Sequence, residues 1–292
     1  MNPSELPAVP GVSHRNVALD GLNLHVAEAG AGPPLVLLHG WPQHWWCWRR
    51  LIPALARSYR VIAPDLRGWG WSDAPPGDYA KSTLAADVVA LLDAEGLDRV
   101  ALVGHDWGGY ASFLLALEHP ERVERLMALD VAPPWSRPSS PAARHLGLPL
   151  LASYQLLLAT PVLGPRTLTS GTRFVRTLIR AGSGADARWT DAELDAYASV
   201  LRQPARARAT SACYRTFLSR ELPASLARGD RASELVVPTL LVMGGASPLH
   251  RILDPQPAPG MRVEVIERAG HFLPEEAPDE LLRLAESWLG PA

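Results

Sequence analysis

The chain has 292 residues and a formal charge of −2, with hydrophobic residues at 47% and charged residues at 20%, which suits one globular domain with a large core and room for an insertion. So small a net charge gives no electrostatic reason to expect nucleic acid or an anionic membrane as a partner. Cys47 and Cys213 stand far apart and fit buried free thiols in a reducing compartment; with no CxxC, HExxH or other ligand spacing in the chain, neither a metal nor any other cofactor is expected.

Met1 to Val12 is rich in proline and polar residues and lacks a basic segment leading into an apolar core, so it does not read as a signal peptide. No apolar run approaches the ~18 residues of a membrane span. The longest candidates, such as Leu146 to Leu158, are broken by Pro149, Ser153 and Gln155, and a cytoplasmic protein follows as the default. Strands are expected at Asn16–Leu19, Leu22–Ala27, Leu35–Leu38, Arg60–Ala63, Val100–Val103, Leu126–Leu129, Thr239–Met243 and Val263–Ile266. Helices with apolar residues at three- and four-residue intervals fall between them, most clearly Ser82–Ala94, Tyr110–Glu118 and Asp279–Leu289. This alternation argues for an α/β protein with a largely parallel sheet.

The alternation stops at Ala132-Pro133-Pro134-Trp135. From there to about Glu221 the pattern is helical, and the strand rhythm resumes at Val236-Val237-Pro238-Thr239. The chain therefore divides into a first core part, 1–133, a helical cap, 134–221, and a second core part, 222–292, with Pro133–Pro141 read as a hinge. Ligand crevices of open parallel sheets lie beyond the carboxyl ends of the strands, so an insert at this point would roof the crevice. Lys81, a single lysine beside many arginines, reads as coding bias, and no function is drawn from it.

The apolar strand Val100-Ala101-Leu102-Val103 runs into Gly104-His105-Asp106-Trp107-Gly108-Gly109 and then a helix, placing one acidic residue at a glycine-lined corner. Glycines there avoid collisions where strand and helix pack closely. A carboxyl of ordinary pKa about 3.9 is already ionised at neutral pH, and the following helix N-terminus favours the anion. As a nucleophile a carboxylate suits a saturated carbon with a strained or departing group, giving an alkyl ester, better than an acyl carbon, where it gives only an anhydride. The plainer alternative is that Asp106 caps the helix.

Gly-His-Asp-Trp-Gly-Gly at 104–109, His-Gly-Trp-Pro at 39–42 and Gly-His at 270–271 together resemble the epoxide hydrolases of the α/β-hydrolase superfamily, over residues of about 15–133 and 236–289. The resemblance implies an α/β-hydrolase fold: an eight-stranded, mostly parallel sheet with a helical cap inserted after strand six. It makes Asp106 the nucleophile at the elbow and His271 the final triad member, the base that drives water onto the ester. Many relatives carry the triad acid after the seventh strand, where this chain reads Gly244-Gly245-Ala246-Ser247-Pro248, with Ser247 in the acid's place. Asp130, closing the sixth strand, is the expected acid; Asp254, or no acid at all, is the alternative. The backbone N–H groups of Trp41 and Trp107 would form the oxyanion hole. His39, Trp41, Pro42 and Trp107 would line the substrate, although His39 and His105 also suit structural roles beside turns. Pro42 is a residue able to hold a cis bond.

Two cap tyrosines, Tyr154 and Tyr214, match the pair that holds and protonates the epoxide oxygen in this family, while Tyr197 and Tyr110 read as structural. The implied reaction takes a small apolar epoxide and water to a vicinal diol without a cofactor. Haloalkane and haloacid dehalogenases share the aspartate nucleophile and are the alternative. A fluoroacetate-type enzyme would want arginines beside the nucleophile, where this chain has Trp107 and Tyr110. A catalytically silent binding protein is the third reading. Trp41, Trp45, Trp46, Trp48, Trp69 and Trp71 crowd two loops near the expected crevice and suggest an apolar substrate, although aromatic residues in such loops more often serve core or lid packing.

Overall fold

The computed structural model describes residues 6–142, 145, 148–228, 231–254 and 256–290; the start of the Met1–Val12 segment and the first two residues of the Leu146–Leu158 run lie outside them. The strands are β1 (Ser13–Leu19), β2 (Leu22–Ala29), β3 (Pro34–Leu38), β4 (Arg60–Pro64), β5 (Val100–His105), β6 (Val123–Leu129), β7 (Arg137–Pro138), β8 (Thr239–Gly244), β9 (Leu253–Asp254) and β10 (Met261–Ile266). Eight of them form one sheet in the order β1-β2-β4-β3-β5-β6-β8-β10. β2 runs antiparallel to both of its neighbours, β1 and β4, and every other pairing is parallel. This is the α/β-hydrolase fold.

Burial explains the composition of the strands. β5 and β8 are buried along their whole length, so they read as unbroken apolar runs, whereas the edge strand β1 mixes polar and apolar residues. All eight expected strands lie in the sheet, and the differences are at their ends. β1 starts at Ser13, β6 at Val123 and β10 at Met261, because the added residues include exposed polar ones that blur the apolar pattern.

The helices of the first core part are α1 (Ile52–Leu55), α2 (Lys81–Ala94) and α3 (Asp106–Glu118). α3 begins at Asp106 rather than at Tyr110, since the glycine-bearing turn is itself helical. It packs on β5 and β6, with α2 beside it. Between β6 and β8 come α4 (Leu148–Ala159), α5 (Leu163–Thr169), α6 (Arg173–Gly182), α7 (Asp191–Val200) and α8 (Pro204–Thr216). α8 passes through a π-helical turn, Phe217–Glu221, into α9 (Leu222–Arg228), so helix continues past Glu221. α4 and α5 pack against α8, and α7 opens on a reciprocal capping box between Thr190 and Glu193. α10 (Pro248–Ile252), α11 (Leu273–Glu276) and α12 (Pro278–Leu289) complete the chain.

The segment expected to be a hinge is tied down instead. Arg137–Pro138 pairs antiparallel with Leu253–Asp254, and the Ser139 N–H donates to the Ile252 carbonyl at 2.9 Å. Both cysteines are buried and free. Among the described residues no helix is long and apolar enough to cross a membrane.

Candidate active site

The carboxyl ends of β3, β5, β6, β8 and β10 deliver the polar side chains to one edge of the sheet. Asp106 sits where β5 becomes α3 with φ of +51°, and Asp130 follows β6 with φ of +39°. Gln256 is the other non-glycine residue with positive φ among those described. An L-residue in the left-handed region costs on the order of 1–3 kcal/mol and persists only where its surroundings over-determine it. The surroundings here are tight: a Cβ on Gly40 would lie 2.3 Å from the Asp106 Cβ, and one on Gly108 would lie 2.4 Å from the His39 carbonyl oxygen.

Those close approaches aim donors at the Asp106 carboxylate. The Trp41 N–H donates to Oδ1 at 2.8 Å, the Trp107 N–H also bonds to the carboxylate, and His271 Nε2 stands 3.5 Å from Oδ2. Burial pushes the Asp106 pKa up, but the bond and charge of His271, with the Trp107 N–H, outweigh it and hold the acid below its ordinary value.

His271 reaches the site from the loop after β10. Its Nδ1 is 2.6 Å from Asp130 Oδ2; Asp130 is fully buried, and it also accepts from the Gly244 N–H at 2.9 Å and from the Ser247 hydroxyl at 2.6 Å. Burial opposes the imidazolium, yet Asp106 and Asp130 together raise the His271 pKa to about 10. Two neighbours fix its backbone: the His271 N–H donates to the Gly182 carbonyl of α6 at 2.8 Å, and His105 Nε2 donates to the His271 carbonyl at 2.8 Å. Burial lowers His105 to about 4, which keeps that ring neutral.

Above the carboxylate stand the two tyrosines. Tyr214 of α8 is buried and Tyr154 of α4 half-buried, with ring centroids 5.9 Å apart. Trp41 stacks on Tyr154 at 6.1 Å and meets Tyr214 edge-on at 5.4 Å, while Trp107 lies 5.7 Å from Tyr214. The hydroxyls interact with each other. Burial first, then the Asp106 charge, raises Tyr154, and Tyr214 is raised further, so both phenols are neutral at rest.

Several expectations need correction. His39 is completely buried: its Nε2 accepts from the Leu66 N–H at 2.9 Å and its Nδ1 donates to the Gly40 carbonyl at 3.0 Å. Both ring nitrogens are thus spent on the loop, and His39 has none for a substrate. Trp45, Trp48 and Trp69 are core residues with no exposed surface, so they form no rim to a crevice. Asp254 is exposed and bonds the Gln256 N–H at 3.0 Å, away from His271. Pro42 does follow a cis peptide bond. Ser247, read as the site of a missing acid, instead donates a hydrogen bond to Asp130. The Ser-Pro pair announces it only as a helix cap, and its Oγ does accept from the Leu249 N–H at 3.2 Å.

The profile of the family described as "alpha/beta hydrolase fold" matches residues 33–278. The chain belongs to the α/β-hydrolase family. This α/β-hydrolase is 34% identical to a soluble epoxide hydrolase of Corynebacterium sp. (strain C12) over 96% of the chain and 98% of that protein. It is 30% identical to a fluoroacetate dehalogenase of Burkholderia sp. over 97% of the chain and 95% of that protein. Its fold superposes on the ligand-free structure of the epoxide hydrolase CorEH with a TM-score of 0.82 at 30% identity, covering 96% of this chain and 99% of that one.

Proposed function

We propose that this α/β-hydrolase opens an epoxide to a vicinal diol through an alkyl ester on Asp106, with the helical insertion 134–221 acting as its cap. The reading is carried by one observation: an anionic carboxylate, held by the Trp41 N–H at 2.8 Å, lies beneath a pair of neutral, buried-end tyrosines. The long alignment with a soluble epoxide hydrolase supports it.

In the first step an Asp106 oxygen bonds to a ring carbon and the C–O pair leaves on the ring oxygen, which takes a proton from Tyr154 or Tyr214. The developing alkoxide is far more basic than a phenolate, so a phenol of ordinary pKa about 10 is acid enough. Esterification erases the charge on Asp106. One of the two carboxylates that hold the His271 proton is then gone, so that proton leaves, restoring the phenol directly or through water, and the neutral imidazole becomes a base. His271, oriented by Asp130, next takes a proton from water as the water attacks the ester carbonyl. The tetrahedral oxyanion falls to the N–H groups of Trp41 and Trp107. On collapse the leaving alcohol oxygen takes the proton of the hydroxyl that water brought, so the diol departs with an original Asp106 oxygen, His271 is left protonated, and the water oxygen stays in the carboxylate.

One observation favours dehalogenation as a second reading. The indole N–H groups of Trp41 and Trp107, whose rings pack against Tyr214, are buried with no acceptor among the described residues, the kind of donor a departing halide needs. A single turnover in heavy-oxygen water, with styrene oxide and a bromoalkane in parallel, separates the two. Diol formation with label entering Asp106 is the expected result. Halide release without diol formation would move the assignment to a dehalogenase, and turnover of neither substrate with no ester trapped by His271→Gln would sink both.

A further inference from the structure

Lys81 is the chain's one lysine among 28 basic residues, and its side chain has no exposed surface. It opens α2 in the core, but every group around its ammonium comes from elsewhere. Nζ lies 2.9 Å from Glu221 Oε2 and 3.4 Å from the Cys213 carbonyl, both in the helical insertion. It also sits 4.1 Å above the Trp107 ring and 4.8 Å above the Phe217 ring. The other Glu221 oxygen accepts the Lys81 backbone N–H at 2.6 Å, so one carboxylate binds both ends of this residue.

The chemistry accounts for lysine in a chain otherwise furnished with arginine. A compact ammonium can direct its donors to a carboxylate and a carbonyl while resting between two ring faces, whereas the broad, planar guanidinium of arginine cannot meet all four at these distances. The partners matter as much. Trp107 follows the nucleophile and touches Tyr214, Cys213 directly precedes Tyr214, and Phe217 packs 4.8 Å from Trp107 at the head of a π-helical turn, a distortion often kept at functional positions.

We propose that Lys81 and Glu221 form a latch that seats the Phe217–Glu221 turn on Trp107, sets the height of Tyr214 over Asp106, and parts when the insertion lifts. Both are positioning residues, and the kinetic half of this proposal rests on the epoxide reading above. Glu221 also lines a surface groove of about 250 Å³, which gives solvent a way to the ammonium once the pair separates.

Two measurements test the latch. The first needs no turnover. In a chain with one lysine, an amine-selective, water-soluble acetylating reagent has two primary amines to modify, Lys81 and the terminal amine, and peptide mass spectrometry after labelling of the native protein follows each. Lys81 is expected to react at least tenfold faster in Glu221→Gln than in the parent, with the terminal amine unchanged; equal Lys81 rates would overturn the latch. The second is rapid-quench single turnover of an epoxide by Lys81→Met and Glu221→Gln. Ester formation should slow at least tenfold while ester hydrolysis stays within twofold, and Lys81→Arg should not restore it. Equal slowing of both steps, or of neither, would overturn the positioning role. If the parent opens no epoxide, the proposed activity falls while the acetylation rates still decide the latch.

Discussion

The site joins two regions built to different rules. The half that grows from the sheet, Asp106, Asp130 and His271, carries the charges, and its polar atoms are matched on nearly every side; Asp130 alone receives three donors, from Gly244, Ser247 and His271. The half that descends from the insertion, Tyr154 on α4 and Tyr214 on α8, is uncharged and held mainly by ring contacts with Trp41 and Trp107. The contrast suits the proposed tasks. A nucleophile and its base need fixed geometry and fixed counter-charges, which strand ends supply. Proton donors that roof a substrate, the role proposed for the two tyrosines, must also admit it; ring contacts let helices shift, and the buried charge such a shift would unpair is that of Lys81. The core and the insertion are also joined by polar contacts, among them the His271 N–H to the Gly182 carbonyl of α6 and the Lys81–Glu221 ion pair.

The sharpest way to break the comparison is to remove the charge and keep the shape. Asp106→Asn tolerates the left-handed backbone and should lower epoxide turnover by roughly 10⁴-fold or more, as loss of a covalent nucleophile does. The same substitution should drop the His271 pKa well below about 10, because one of its two carboxylates is neutralised. Histidine NMR titration reads this directly. An unchanged His271 titration would mean that the sheet-borne half is not electrostatically coupled as drawn.

The insertion half should answer differently. Tyr154→Phe with Tyr214→Phe is expected to slow ester formation by about 10²–10⁴-fold, the usual worth of a general acid, and to leave hydrolysis of a preformed ester unchanged. Rapid-quench mass spectrometry resolves the two steps. Slowing of both would tie the tyrosines to the base as well as to the ring oxygen.

What the sequence disclosed divides along the same line. Strands buried on both faces announce themselves as apolar runs, so β3, β5 and β8 were legible, and the glycine spacing around Asp106 exposed the elbow. The roles of His39 and the tryptophans were not, because burial of a loop side chain depends on what the rest of the chain packs over it, and the same His-Gly-Trp-Pro letters serve a substrate surface or an inner wall. Ser247 was misleading for a related reason: a serine in an acid's usual position signals loss only if no carboxylate arrives from another strand, and Asp130 does, 2.6 Å away. Lys81 carried no local signal at all. Its significance comes from Glu221 and Phe217, far along the chain, closing over it.

Stability against pH gives a smaller and wholly sheet-borne effect. The folded protein raises His271 from 6.5 to about 10, so the charged imidazole contributes stability that is complete below 6.5 and is lost as pH climbs toward 10. Asp106 is lowered from 3.8, so its contribution is present above that value and disappears as pH falls beneath it. The melting temperature should therefore rise between about pH 4 and 6.5, where the unfolded chain takes up a proton that the neutral, buried His105, lowered to about 4, does not, and decline on the alkaline side as the His271 contribution is lost. His271→Gln should flatten that decline, and Tyr154→Phe should not. A tyrosine variant that altered the slope would show that the uncharged half shares the ionic coupling.

The mildest expected change is Ser247→Ala. Its hydroxyl donates to Asp130 Oδ2, the oxygen that also faces His271 Nδ1, and accepts the Leu249 N–H at the head of α10. Losing a hydrogen bond to a buried charge, together with a helix cap, should destabilise the protein by about 2 kcal/mol. Chemistry should suffer less. Asp130 keeps the Gly244 N–H and still fixes the imidazole tautomer, so ester hydrolysis should slow only about two- to fivefold, against the roughly 10⁴-fold that Asp130→Asn should cost by presenting the wrong partner to Nδ1. Denaturant titration and rapid-quench kinetics on the two variants check this ratio. If Ser247→Ala approached Asp130→Asn, the serine would be acting on the proton carried by His271, and the acid of this site would have to be regarded as the Asp130–Ser247 pair.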